Sequence, residues 1–437
     1  MQYRKFNFFI SLAFFIVLAC TTLFATAYNM ITITSLPSNN FFNALSANNS
    51  DEVKPSKKYS IGVVVPYGFL VEQEESKRLC IAANKMGWPC YIMSYNWQHL
   101  KDSEIVTKIY RFIWDKFTSI MGVDFIIELQ PAYSRVSPLG KITTFLAISQ
   151  NMSATLGDIS VTFDLGDDNY KEREVQNLDN YHETFWRHIG DYDGYIDAGY
   201  RYGWLKKFDL SMYTSFQNQM GSEIKPILEG FNSVYATNFI PIEYKELFYC
   251  GDNIDPLRGS SKYKLILTEL AKKNYLNVYG PENSWAFIPS SAYKGFIPSD
   301  GYSLLRTMQD SGISLILHSK NNLRDGIPSA RIFEAAAAST VIISDKNKFV
   351  MQEFGDCVLY IDVKKPAEDV VQQIDTHFNW IRDNPDKAKA LAKCAHKKFN
   401  DSFQLESLLR DVASTYEELK LLRAQKTDSQ PEQTPEQ

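Results

Sequence analysis

No block rich in lysine or arginine occurs anywhere in the chain, and acids outnumber bases 51 to 46. A surface that tracks a phosphate backbone needs clustered cations, so nucleic acid is excluded as an expected partner. Cysteine is scarce. Apart from Cys20, the residues Cys80, Cys90, Cys250, Cys357 and Cys394 form an odd set with no close pair. That spacing fits neither a disulfide framework nor a zinc site and points to reduced, structural thiols. An internal repeat is also lacking, which excludes solenoids and propellers. What is present is length: 437 residues with 45% apolar content exceed the needs of one ordinary core, so two domains are expected.

The first residues carry the one long hydrophobic run. Arg4 and Lys5 precede an apolar segment, residues 6–27, that has the length of a membrane-spanning helix. It reads as a single-pass anchor. Two other readings stay open: a signal peptide cleaved after Ala25-Thr26-Ala27, and lipid attachment at Cys20. The preceding basic residues favour a cytoplasmic N-terminus and a folded body on the lumenal or extracytoplasmic side, whereas the unpaired cysteines favour a reducing, cytoplasmic one. Residues 28–57, rich in Asn and Ser, read as a linker, and residues 424–437 as a disordered polar tail.

Between them, YSIGVVVPYG, SKRLCIAANKMGW and CYIMSYNW form a strand, helix and strand. Further strands are expected at VDFIIELQ, ITTFLAIS, ISVTFDLG and YDGYIDAG. The pattern restarts at ELFYCG and continues through SKYKLILTELAKKN, YLNVYGP, SLLRTMQDSG, ISLILHS and DCVLYID to a helical C-terminus. These are two α/β halves, over residues 58–240 and 241–423, each a Rossmann-like domain with its ligands beyond the carboxyl ends of the strands.

Two stretches of the second half carry a family resemblance. GIPSARIFEAAAASTVIISDKNKFVMQEFGDCVLYID orders a turn, a small-residue helix with one Glu, a strand, an acidic residue and a last strand; YCGDNIDPLRGSSKYKLI opens the same domain. Together they resemble the donor-binding domain of the group 1 glycosyltransferases, in the branch similar to spore-maturation proteins. The resemblance implies the GT-B fold, two Rossmann-like domains facing across a cleft. It also implies transfer of a sugar from a nucleotide-sugar donor to an acceptor hydroxyl, with retention and with no cofactor or metal. The acceptor is a glycan, a lipid or a protein.

In that reading Pro328 lies at a helix start, where the amides of Ser329, Ala330 and Arg331 face a diphosphate. Glu334, one turn deeper, takes the family's role of accepting hydrogen bonds from the ribose hydroxyls. Arg258 stands where the family has a turn lysine and would clamp the leaving diphosphate, with Lys262 or Lys264 just after it. His318, ending ISLILHS, faces the same pocket. One position departs from the pattern. The family's first acid falls eight residues before Glu334, where this chain has Gly326. That departure bears on the donor sugar and on retention, and leaves an inverting displacement as the alternative.

The first domain offers less. His182 and His188 in YHETFWRHIGDYD are candidates for acceptor activation, because imidazole removes a proton near neutral pH. Residues 66–69 follow the first strand toward the cleft. Asp164, Asp167 and Asp168 in FDLGDDNY imitate a metal-binding pair, but such pairs belong to the single-Rossmann glycosyltransferases, and no metal is expected. The alternative to an enzyme is a noncatalytic, membrane-tethered nucleotide-sugar or glycan-binding protein of the same fold.

Overall fold

The computed structural model describes residues 31–34, 57–66, 70–95, 115–129, 142–148, 193–197, 227–253, 255 and 257–429. The segments 6–27, 149–192 and 67–69 lie outside them. So do the expected anchor, His182, His188, the aspartates of FDLGDDNY and most of the loop after the first strand. Among the described residues no helix is long and apolar enough to cross a membrane.

The first sheet contains β1 (Ile31–Thr34), β2 (Ile61–Pro66), β3 (Cys90–Tyr95), β4 (Phe125–Leu129), β5 (Thr143–Ile148), β6 (Gly194–Asp197) and β7 (Ile227–Glu229) in the order β1-β3-β2-β4-β5-β6-β7. All neighbours are parallel except β1, which pairs antiparallel with β3 from inside the stretch read as linker. The run Val63-Val64-Val65 is wholly buried, as a central parallel strand requires. Helix α1 (Leu70–Lys85) joins β2 to β3 and begins six residues earlier than its apolar pattern announces.

The second sheet is parallel throughout. Its strands β8 (Glu246–Cys250), β9 (Leu276–Tyr279), β10 (Tyr293–Gly295), β11 (Gly312–Ile316), β12 (Val341–Asp345) and β13 (Leu359–Ile361) lie in the order β10-β9-β8-β11-β12-β13. The short β7 and β10 have too few residues to show a hydrophobic period and went unread in the sequence. Around this sheet lie α2 (Ser261–Ala271), α3 (Ser303–Ser311), α4 (Lys320–Asp325), α5 (Ala330–Ala337), α6 (Lys348–Glu353), α7 (Ala367–Asp383) and α8 (Pro385–Ser402).

The final helix, α9 (Leu405–Ser429), leaves the second domain and lies on the first. Tyr416 packs against Tyr59 and Phe125, and Arg423 bonds Thr143 Oγ1 and Asp193. The helix also runs past Arg423 into the segment expected to be a disordered tail. At the crossing, Phe231, Phe333, Phe349 and Phe403 form one aromatic cluster with centroid spacings of 5.1 to 5.8 Å. Apolar packing is therefore continuous from one domain to the other.

The cysteines correct the expectation of reduced thiols. Cys80 on α1 is bonded to Cys90 at the start of β3, and Cys357 to Cys394 on α8, with Cα separations of 5.1 and 5.4 Å. Cys250 is free. Neither bond could be seen in the spacing, because the partners are brought together by a helix-to-strand return and by packing of α8 on the segment before β13.

Candidate functional site

The two sheets face a cavity of about 260 Å³ lined from both sides: Arg78 and Glu74 on α1, Gly251 and Arg258 after β8, Gly280 after β9, and the start of α5. It lies beyond the carboxyl ends of β8 and β9, where open α/β sheets hold ligands. Gly280 sits at φ +139°, and a Cβ there would stand 2.1 Å from the Gly251 carbonyl oxygen, so only glycine lets these two strand ends converge. A second cavity, about 350 Å³, lies behind the aromatic cluster and is edged by Glu229, Glu353 and Asp411, whose charge repels an anionic ligand.

Local sequence fixes the wall of the first cavity. Ser329 caps α5, its Oγ accepting from the Arg331 amide at 3.4 Å, and the helix begins at Ala330. Pro328 therefore stands one residue before the cap and not at the first helical position, and it is buried with its carbonyl accepting from Asn322 Nδ2. The four alanines after Glu334 are buried and allow close packing of α5 on its neighbours. Gly326 closes α4 at φ +70° with its N–H donating to Asn322 O. A side chain there would be strained and would meet Lys348 at 3.1 Å, so the turn favours glycine at this position.

Glu334 is 1% exposed. Its two oxygens are held separately: Arg78 Nη1 donates to Oε1 at 2.6 Å and Arg331 Nη1 to Oε2 at 2.5 Å. Burial by itself would raise the carboxyl, but Arg331 and Arg78 outweigh it and hold Glu334 below the usual carboxylate range. Arg78 is fully buried and Arg331 half-buried, and Glu334 holds both guanidiniums charged against their desolvation. Arg78 Nη2 donates to Glu74 Oε1 at 2.9 Å, and Glu74 Oε2 accepts from the Gly301 amide at 2.9 Å.

Arg258 lines the cavity beside Gly251 and is held loosely by Asp252 at 3.5 Å and Asp255 at 3.9 Å. Asp255 also accepts from the amides of Leu257 and Arg258, each at 3.0 Å, and so builds the turn that presents the guanidinium. Ser329, Ala330, Arg331, Glu334 and Arg258 are thus brought together. Lys262 is not: its Nζ donates to Val363 O at 2.6 Å, away from the cavity. Lys264 stands over the Phe287 ring. His318 is fully buried beneath the wall, its Nδ1 2.5 Å from Asp345 Oδ1 and its amide donating to Asp345 Oδ2 at 2.8 Å, while Nε2 has no partner.

Arg78 was missed by sequence reasoning. Its only local signal is the i,i+4 spacing with Glu74, which on most helices marks a solvated surface pair. Its approach to Glu334, 256 positions away, exists only once the domains face each other.

Residues 261–413 match the family described as glycosyl transferase-like. Over these residues the chain is similar to glycosyl transferases. Solved structures match most of the chain at low identity. An alpha-glucosyltransferase in complex with UDP and a 13-mer DNA shares 10% identity over 82% of this chain and 100% of its own, with a TM-score of 0.50. A glycosyltransferase from Rickettsia africae shares 14% over 83% and 99%, with a TM-score of 0.45. A sucrose-phosphate synthase from Thermosynechococcus elongatus shares 10% over 83% and 100%, with a TM-score of 0.47. No curated protein matches the chain in sequence. The matched residues include Glu334, Arg331 and the α5 start, whereas Arg258 and Arg78 precede them.

Proposed function

We propose that the chain transfers a sugar from a nucleotide-sugar donor to an acceptor hydroxyl, with the donor held by the second domain. One observation carries this reading: an ionised, buried Glu334 lies one turn below the capped start of α5, in the same cavity as the guanidiniums of Arg258 and Arg331. The carboxylate still has lone pairs for a ribose diol, and the cations and helix start offer charge for a diphosphate.

Mechanism follows from where charge grows. As the bond from sugar to phosphate breaks, the leaving diphosphate gains negative charge, and Arg258 and Arg331 stabilise it without a divalent ion. In the retaining course, which the family resemblance favours, the donor phosphate helps take the acceptor proton. In the inverting course a first-domain base, His182 or His188, takes it. Titrating the full chain with UDP, GDP and ADP tests the reading. At least one should bind, and Glu334→Ala should weaken it by on the order of tenfold to a hundredfold; no binding, or an unchanged affinity, refutes it.

The chain is further proposed to be a single-pass membrane protein anchored by residues 6–27, with its body on the lumenal or extracytoplasmic side. The two disulfides support that side, since such bonds persist in oxidising compartments. Protease protection in intact vesicles tests it: digestion from the cytoplasmic face overturns the orientation, and a shortened soluble product overturns the anchor.

A further inference from the structure

The nucleotide site described above belongs to the second domain, yet one wall of its cavity is a charged side chain of the first. Arg78 is 1% exposed, reaches Glu334 across the cleft at 2.6 Å and lines the cavity. Its Nε–H is buried with no acceptor. Its two Nη groups are engaged by Glu334 and Glu74, so the guanidinium is held in one place at the cavity wall.

The geometry around it is over-determined. Glu74 holds one arm of the Arg78 fork, and Glu74 is itself held by the Gly301 amide of the second domain. One residue before, Lys77 donates to the Ser299 carbonyl. Helix α1 is therefore fixed to the second domain by three polar contacts within five residues of its own length, 74 to 78. Glu334 in turn is gripped on one oxygen by its own helix, through Arg331, and on the other by the opposite domain, through Arg78.

We propose that Arg78 is a positioning residue of the nucleotide site, supplied by the first domain. It orients the Glu334 carboxylate toward the ribose diol and so ties nucleotide recognition to closure of the cleft. The inference rests on the donor-site reading given above. A carboxylate gripped by one arginine alone can rotate about its last bond; gripped on both oxygens it presents its remaining lone pairs in a fixed plane, which two adjacent hydroxyls can match. When the cleft opens, Arg78 leaves, and Glu334 loses that orientation together with one counter-charge. Ribose binding then favours the closed form, because only the closed form holds its acceptor in place.

The test compares a nucleoside diphosphate with its 2′,3′-dideoxy counterpart, titrated into the full chain by calorimetry, using whichever of UDP, GDP and ADP binds. The wild type should prefer the ribonucleotide by on the order of tenfold or more. In Arg78→Ala that preference should shrink to about twofold or less, with weaker binding of the ribonucleotide and little change for the dideoxy form; Arg78→Lys, which keeps the charge and loses the fork, should fall between. A purely structural role would weaken both ligands equally and leave their ratio intact, and that result overturns the proposal. Tighter ribonucleotide binding by Arg78→Ala also overturns it, since Arg78 would then be competing with the ribose. If Arg78→Ala does not fold, Arg78→Lys and Glu74→Gln decide: an unchanged ratio in both refutes the role. Failure of the underlying reading looks different. In that case the wild type shows no ribose preference, or Glu334→Gln keeps it, whatever happens at Arg78.

Discussion

Arg78 and Glu334 are 256 positions apart in the chain and 2.6 Å apart in the fold, and their contact joins the two domains at the wall of the cavity. The sign of its pH dependence follows from Glu334. Its folded value lies below the ordinary carboxylate value of about 4.3, so its contribution is fully present above that value and is lost as pH falls through the folded one. Acid should therefore loosen the closed form before unfolding the second sheet. Small-angle scattering between pH 7 and pH 3 should show expansion in the wild type, and Glu334→Gln should already be expanded at pH 7. A variant as compact as the wild type at pH 7 would remove this pair as the closure contact.

Arg258→Ala should harm turnover more than ground-state binding, because the diphosphate gains charge as it leaves. A fall in kcat of roughly tenfold to a hundredfold, with nucleotide affinity changed by only about threefold, is expected for such a clamp. Chelating agents should leave activity intact. Loss of activity on chelation would bring back Asp164, Asp167 and Asp168 as metal ligands.

Glu75 on α1 is buried, and that burial, with Glu72 nearby, pushes its carboxyl up to about 8. A folded value above the unfolded one means that folding takes up a proton, so stability is lost as pH rises from about 4.3 to about 8. Glu75→Gln should remove this loss, raising stability at pH 8 by roughly 4 to 5 kcal/mol and changing little at pH 4. Thermal melts at the two pH values check it, and equal shifts at both would rule out the titration.

The disulfides should be measurable in two ways. Alkylation of denatured, unreduced protein should modify Cys250 and leave Cys80, Cys90, Cys357 and Cys394 protected. Reduction should then lower stability by about 3 kcal/mol for the shorter loop and about 4 kcal/mol for the longer. Labelling of Cys80, Cys90, Cys357 and Cys394 as well would place the folded body in a reducing compartment.

The sequence by itself determined the two α/β halves, because the buried parallel strands read as unbroken apolar runs such as Val63 to Val65 and Val341 to Ile343. It also determined the start of the cavity wall: Ser329, Arg331, Glu334 and the alanine run are local features of one helix, and local chemistry is legible at short range. What it could not determine was everything that depends on two distant segments meeting. Lys262 and Arg258 are four residues apart and look alike in sequence, yet the helical turn between them sends one to the Val363 carbonyl and the other to the cavity. Cys357 and Cys394 show no spacing that announces a bond. Arg78 looks like half of an ordinary helix pair until the domains close, and only then does it become, with Arg331, one of the two cations that hold Glu334 ionised. Sequence periodicity records which face of an element is buried; which charge waits on the other side of a cleft is set by how two complete domains pack.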